Sequence, residues 1–214
     1  MAGLQLKEYQ RESLDAIGQF CDAVREAVGR NALRPVHDAY YAETRRDFIE
    51  VPQLPNVPYF CLRVPTGGGK TLIAAHAVGM IAKRLGHQDR PLCLWVTPST
   101  TIRDQTLRGL RDREHPYHAG LRDGLGVPVE VLTVEQALAA NQAMLSSSAV
   151  IVVTTIQSYR IDEEANRKVY QDNGYLMDHF VNLPAWVREQ LAEPNGNGGR
   201  ISLSLANVMK LRGP

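Results

Sequence analysis

Cysteine is scarce and widely spaced in this sequence. Cys21, Cys61 and Cys93 make no C-x-x-C pair, which argues against a disulfide framework or a cysteine-rich zinc module. Cys61 and Cys93 sit in apolar runs and are expected to be buried, reduced thiols of a cytoplasmic protein. Long hydrophobic stretches are missing too. A run such as Ala149 to Val153 is far too short to span a bilayer, so no membrane partner is expected. The N-terminus, Met1 to Glu8, lacks the charged-then-apolar layout of a signal peptide. There is no H-E-x-x-H, and His115 and His118, near Asp112 and Glu114, read as a solvated loop rather than a metal site. Ser146-Ser147-Ser148 has no His-Asp companion pattern and reads as a turn. Trp95 is expected in the core and Trp186 partly exposed, too little for a base-stacking platform. Neither charge sign is in excess, with a formal net charge of +1 over 214 residues. No internal repeat is visible. What remains, 44% hydrophobic and 22% charged, is ordinary for a globular chain with a sizeable core.

Glycine is where the sequence is informative. The apolar run Tyr59 to Val64 is followed by Pro65-Thr66-Gly67-Gly68-Gly69-Lys70-Thr71 and then by the helix formers Leu72 to Val78. A strand, a glycine turn, Lys-Thr and a helix make a phosphate-binding loop. Glycines let backbone N–H groups face an anion without side chains in the way. The helix starting near Gly69 points its positive end at the same place. Lys70 supplies a point charge for the outer phosphates and is the candidate for transition-state charge; the hydroxyl of Thr71 suits Mg²⁺. The general pattern G-x-x-x-x-G-K-[ST] departs at its first position, where this chain has Val64. Charge is uneven in the same sense. Residues 60–113 carry nine Lys and Arg against three Asp, which fits a phosphate-rich ligand, although a solvated helix face accounts for some of those arginines.

The rest of the chain reads in order. Leu6, Tyr9, Leu14, Ile17, Phe20, Val24 and Val28 recur at helical spacing over residues 4–28, with Gly29 as the stop. Tyr9-Gln10 lies near its start, and a glutamine amide matches the edge of adenine. Residues 30–58 are proline-rich and irregular, with about a helical turn within 36–48. From residue 59 strands and helices alternate: strand 59–64, helix 69–85 stopped by Gly86, buried strand 92–96, helix 99–112, a polar turn-rich stretch 114–126, strand 127–132, helix 134–145 and strand 149–154. That order predicts an α/β fold, a parallel sheet with helices on both faces. After Thr155 regularity fades, with helices expected at 182–191 and 201–211 and a flexible loop at 193–199. The division expected is 1–56, a helix and connection, and 57–214, the α/β region.

Taken in order, these signals resemble the first RecA-like domain of superfamily-two helicases and translocases, and within it most the restriction (helicase-nuclease) subunit of type III restriction enzymes. Leu6-Lys7-Glu8-Tyr9-Gln10 is similar to the opening glutamine motif, which gives Gln10 the adenine. Arg63 to Thr71 resembles motif I, whose form in this group does not require the first glycine. Thr66, Gly67, Gly68, Gly69, Lys70 and Thr71 would then bind ATP, with Thr71 on Mg²⁺. Val96-Thr97-Pro98-Ser99 with Gln105 resembles motif Ia, and Val153-Thr154-Thr155 to Ser158 a later strand-end motif. The resemblance assigns Thr97, Pro98, Ser99, Gln105, Thr154 and Thr155 to the nucleic-acid backbone; as polar loops and helix caps they would need no ligand. It covers most of the chain apart from 30–56 and 160–195. In open parallel sheets ligands sit beyond the carboxyl ends of strands, so residues after Val64, Val96 and Thr154 should share one rim.

The resemblance also implies what should follow, an apolar strand ending in Asp-Glu. It does not occur. The acidic run Asp162-Glu163-Glu164 follows no apolar strand, and residues 202–214 look like the lead-in to the missing one. The expectation is therefore an incomplete RecA-like P-loop NTPase domain that binds ATP but hydrolyses it poorly, with apolar faces open to self-association. Three functions stay open. The first is the ATP-binding lobe of a DNA-dependent translocase, acting on duplex DNA ahead of RNA and alongside a modification/specificity subunit. The second is a P-loop kinase of a small molecule. The third is a non-catalytic nucleotide-binding fragment.

Overall fold

The structure is a computed structural model that describes residues 5–86, 90–159, 169–191 and 201–212. In chain order the elements are α1 (Glu8–Gly29), α2 (Pro35–Thr44), α3 (Lys70–Leu85), β1 (Leu92–Thr97), α4 (Thr100–Arg111), α5 (Pro116–Leu125), β2 (Val129–Leu132), α6 (Val134–Ala137), α7 (Gln142–Ser147), β3 (Ala149–Thr155), α8 (Ala185–Leu191) and α9 (Leu205–Arg212). Short 3₁₀ turns occupy Ile156–Tyr159 and Gly174–Phe180. The chain forms two compact units, Met1–Asp89 with Pro116–Gly126, and Arg90–His115 with Val127–Pro214. Residue 57, the expected start of the α/β region, falls inside the first unit. Glu163-Glu164 and the loop 193–199 lie outside the described residues.

The first unit is helical. The middle of the predicted stripe of α1 is buried, while its ends, Tyr9 and Val28, are exposed: Ile17, with Cys21, packs with Val64, Ile73 and Ala77. One turn round, Phe20 and Val24 join Val36, Ala39 and Phe48. Each such side chain contributes about 1.5–3 kcal/mol by leaving water, with alanine contributing less. Residues 35–44 make a ten-residue helix where about one turn was expected. Proline at its first position is pre-set for helix, and Val36 and Ala39 anchor it. The stretch 114–126, read as turns, contains α5. Leu121 and Leu125 are fully buried one turn apart, and Gly126 ends the helix at φ +72°. Its glycines act as packing surface: Gly124 lies against Gly79 of α3, and Gly120 lies under His76.

The predicted strand 59–64 does not form. These residues have no regular structure, and among the described residues no strand pairs with them. Tyr59, Phe60 and Leu62 are exposed, and only Val64 is buried. Two rings find edge-on or tilted partners instead, Phe60 on Phe20 and Tyr59 on Phe48. Cys61 is likewise exposed, against expectation, while Cys21 is buried.

The second unit holds the sheet. Its three described strands run parallel in the order β1-β3-β2. Every residue of central β3 is buried. Val150 and Val152 join a core with Leu145, Leu176, Leu205 and Val208. Ile151 and Val153, pointing the other way, are equally covered. β1 was expected to be buried throughout. It is an edge of the described sheet, so Leu94 and Val96 are exposed and Trp95 is half-buried. The expected helix 134–145 is two short ones, because Asn141 caps a new start with its side chain on Met144 N–H at 2.8 Å.

Candidate phosphate-binding site

In the first unit the loop between Val64 and α3 is built from its glycines. Val64 anchors one end in the core beside Ile17 and Ile73. The chain turns at once, Gly68 N–H donating to Pro65 O at 3.0 Å. Gly67 and Gly69 take φ of +76° and +77°, the left-handed region that L side chains resist. Gly68 is needed for space: a Cβ there would stand 2.6 Å from Val64 Cγ1 and 2.9 Å from Pro65 O.

α3 starts at Lys70 with no side-chain cap. α1 and α2 also start without a side-chain cap hydrogen bond, while α4, α6 and α7 are capped, by Ser99, Thr133 and Asn141. The first N–H groups of a helix have no internal acceptor. A 16-residue helix that leaves them uncapped behind a glycine loop presents several donors and a partial positive charge. Lys70 is exposed, its ammonium donating to Pro65 O at 3.0 Å across the loop. Thr71 is half-buried one residue further on, and Thr66 is exposed. This donor set fits an anion with a cation beside it.

Gln10 reaches the same loop from α1. It is 5% exposed. Its Nε2 donates to Gly68 O at 3.1 Å, and its Oε1 accepts from Lys7 N–H at 2.9 Å. Tyr9, which was not among the expected site residues, donates its hydroxyl to the same Gly68 O at 2.9 Å. Only its place beside Gln10 could have signalled that. His76, two turns along α3, packs on Gly120; burial lowers its pKa, with Asp123 opposing.

The strand-end residues belong to the second unit. Thr97 pairs with Thr155, so β1 and β3 end in register and bring 97–101 beside 154–158. The register puts the ends of these two strands on one rim, while Val64 ends no described strand. Thr97, Thr154 and Thr155 are all buried. Thr97 Oγ1 donates to Thr154 O at 2.9 Å, and the Thr155 and Ser158 hydroxyls share a hydrogen bond. Ser99 spends its hydroxyl on capping α4 at Ile102 N–H. Pro98, Thr100, Thr101 and Gln105 are exposed. Among the described residues no three His, Cys, Asp or Glu side chains gather as a metal site.

Residues 3–180 match the family described as type III restriction enzyme, res subunit. No curated protein and no solved structure matches the chain.

Proposed function

The chain belongs to the type III restriction enzyme res-subunit family, and from that premise we propose that it is the ATP-binding lobe of a DNA-dependent translocase. Family membership makes the fold a RecA-like P-loop NTPase and the lobe helicase-like and ATP-binding in kind. The finer assignment is this reading's own. The backbone N–H groups from Gly67 to Thr71 and the Lys70 ammonium take the phosphates. Thr71 holds Mg²⁺, whose role is to neutralise phosphate charge. Gln10 reads adenine with the amide N–H and lone pair that its contacts to Gly68 and Lys7 leave over. No described strand ends in an acidic pair, so the role given to these residues is nucleotide capture.

For the DNA backbone, burial of Thr97, Thr154 and Thr155 reassigns the work. These threonines hold the rim in shape, while Pro98, Ser99 and Gln105, with the exposed Thr100 and Thr101, meet the strand. Duplex DNA and a modification subunit are the proposed partners.

The observation that carries this reading is the uncapped start of α3 behind the Gly67–Gly69 turn. The test is a calorimetric titration of Mg-ATP into wild type and Lys70→Ala, each with and without duplex DNA. Losing a charged hydrogen-bond donor is worth about 1.5–3 kcal/mol, so Lys70→Ala should bind about 10- to 100-fold more weakly. DNA should change the wild-type affinity. Equal affinities in the two proteins would refute the site. Indifference to DNA would favour a small-molecule kinase.

A further inference from the structure

We propose that Tyr9 is a positioning residue for the phosphate cradle, holding the Gly68–Gly69 peptide so that Gly69 N–H faces the anion; this rests on the nucleotide reading above. The peptide is planar and no cis bond occurs among the described residues. The carbonyl of Gly68 and the N–H of Gly69 therefore point in opposite directions within one plane. The carbonyl points at the first turn of α1, where it accepts from Tyr9 Oη at 2.9 Å and from Gln10 Nε2 at 3.1 Å. Gly69 N–H is thereby directed away from the first turn of α1.

The peptide needs such a hold. It joins two residues without Cβ, the pair with the least resistance to rotation about their own φ and ψ. Rotated the other way, it would offer the anion a carbonyl oxygen in place of a donor. Two donors on Gly68 O occupy both of its lone pairs and oppose that rotation. They differ in how firmly they are themselves held. Gln10 is buried and tied at its other end to Lys7 N–H. Tyr9 is 36% exposed, so its hydroxyl can be removed with little disturbance to the packing. The two contacts span 58 and 59 residues of chain, so the first turn of α1 is part of the phosphate site.

The experiment measures inorganic tripolyphosphate binding, with Mg²⁺, to wild type, Tyr9→Phe, Tyr9→Leu and Lys70→Ala, alongside melting without ligand. Loss of one neutral hydrogen bond should weaken tripolyphosphate about three- to tenfold in both Tyr9 variants, with their melting temperatures close to wild type. In ¹⁵N spectra the Gly69 amide should move in Tyr9→Phe before any ligand is added. Unchanged tripolyphosphate affinity in Tyr9→Phe, or weakening in Tyr9→Leu alone, overturns the role of the hydroxyl. If Lys70→Ala loses tripolyphosphate while Tyr9→Phe keeps it, only this inference falls. If Lys70→Ala binds as wild type does, the phosphate-site reading falls and takes this inference with it.

Discussion

Replacing Gly69 by alanine should damage the loop through two effects that can be separated. The first is backbone strain. Gly69 sits at φ +77°, where an L residue is disfavoured by about 1–2 kcal/mol. The second is a collision: the new Cβ would lie 2.6 Å from Gln10 Nε2. Gln10 is buried and hydrogen-bonded at both ends of its amide, so displacing it gives up the bond to Gly68 O, about 0.5–1.5 kcal/mol. Together these come to about 1.5–3.5 kcal/mol. Gly67 provides the comparison. It has the same left-handed φ, +76°, but nothing within 4 Å of its would-be Cβ, so Gly67→Ala should show strain alone. Urea unfolding of wild type, Gly67→Ala, Gly69→Ala, Gln10→Ala and the Gln10→Ala/Gly69→Ala pair gives the numbers. The cost of Gly69→Ala should drop by about 1 kcal/mol in the Gln10→Ala background, the coupling expected of residues in contact. If Gly69→Ala costs the same in both backgrounds, Gln10 does not stand against the loop and the placement of α1 at the site is wrong.

Two more perturbations probe the helix that carries Lys70. Gly79→Ala gains about 1 kcal/mol of helix propensity, yet its Cβ would meet Gly124 C at 2.2 Å and Leu125 N at 2.6 Å, backbone atoms that cannot rotate aside. Overpacking costs about 1–3 kcal/mol, and against backbone atoms the upper end applies, so after the propensity gain a net loss of about 2 kcal/mol and a melting temperature lower by roughly 4–8 °C are expected; a variant as stable as wild type would refute the close α3–α5 crossing. His76 supplies a pH dependence. Its folded pKa lies below the ordinary 6.5 because burial disfavours the imidazolium, so the unfolded chain takes the proton first. This contribution to stability is fully present above about pH 6.5 and is lost as pH falls below it. Melting followed from pH 7.5 to 5.5 should decline less steeply in His76→Gln than in wild type; parallel curves would remove His76 as a cause.

How much of this was legible beforehand depended on the range of the interaction. The glycine turn before α3, the middle of the apolar stripe of α1 and the β-branched run of β3 are local patterns, and each takes the backbone form expected of it. Three of the misreadings turn on a partner far along the chain. Residues 59–64 have the composition of a strand, but composition does not supply a neighbouring strand, and the described residues offer none. β1 looks as apolar as a central strand, yet its exposure depends on having one described neighbour in place of two. Glycines 120 and 124 read as turns because a close helix crossing leaves no mark at i+3 or i+4.

The same reasoning divides the candidate site residues by what their hydrogen bonds already do. A hydroxyl at a strand end looks like a ligand contact in sequence, whether it faces outward or stitches two strands together. Thr97 is of the second kind: its proton goes to Thr154 O across the β1–β3 pair, and its side chain is spent on joining the strands. Gln10 is intermediate, with half of its amide committed to α1 and the loop and the other half uncommitted among the described residues. Lys70 is of the first kind, exposed, with an ammonium that has three protons and one recorded acceptor, Pro65 O. Substitutions should follow that order. Thr97→Val should act through stability, because it removes the buried hydrogen bond from Thr97 Oγ1 to Thr154 O, about 0.5–1.5 kcal/mol. Lys70→Ala should act through binding with the fold intact. A Thr97→Val protein that folded as firmly as wild type yet lost nucleic acid would contradict the division, since a side chain turned inward has no other route to the ligand.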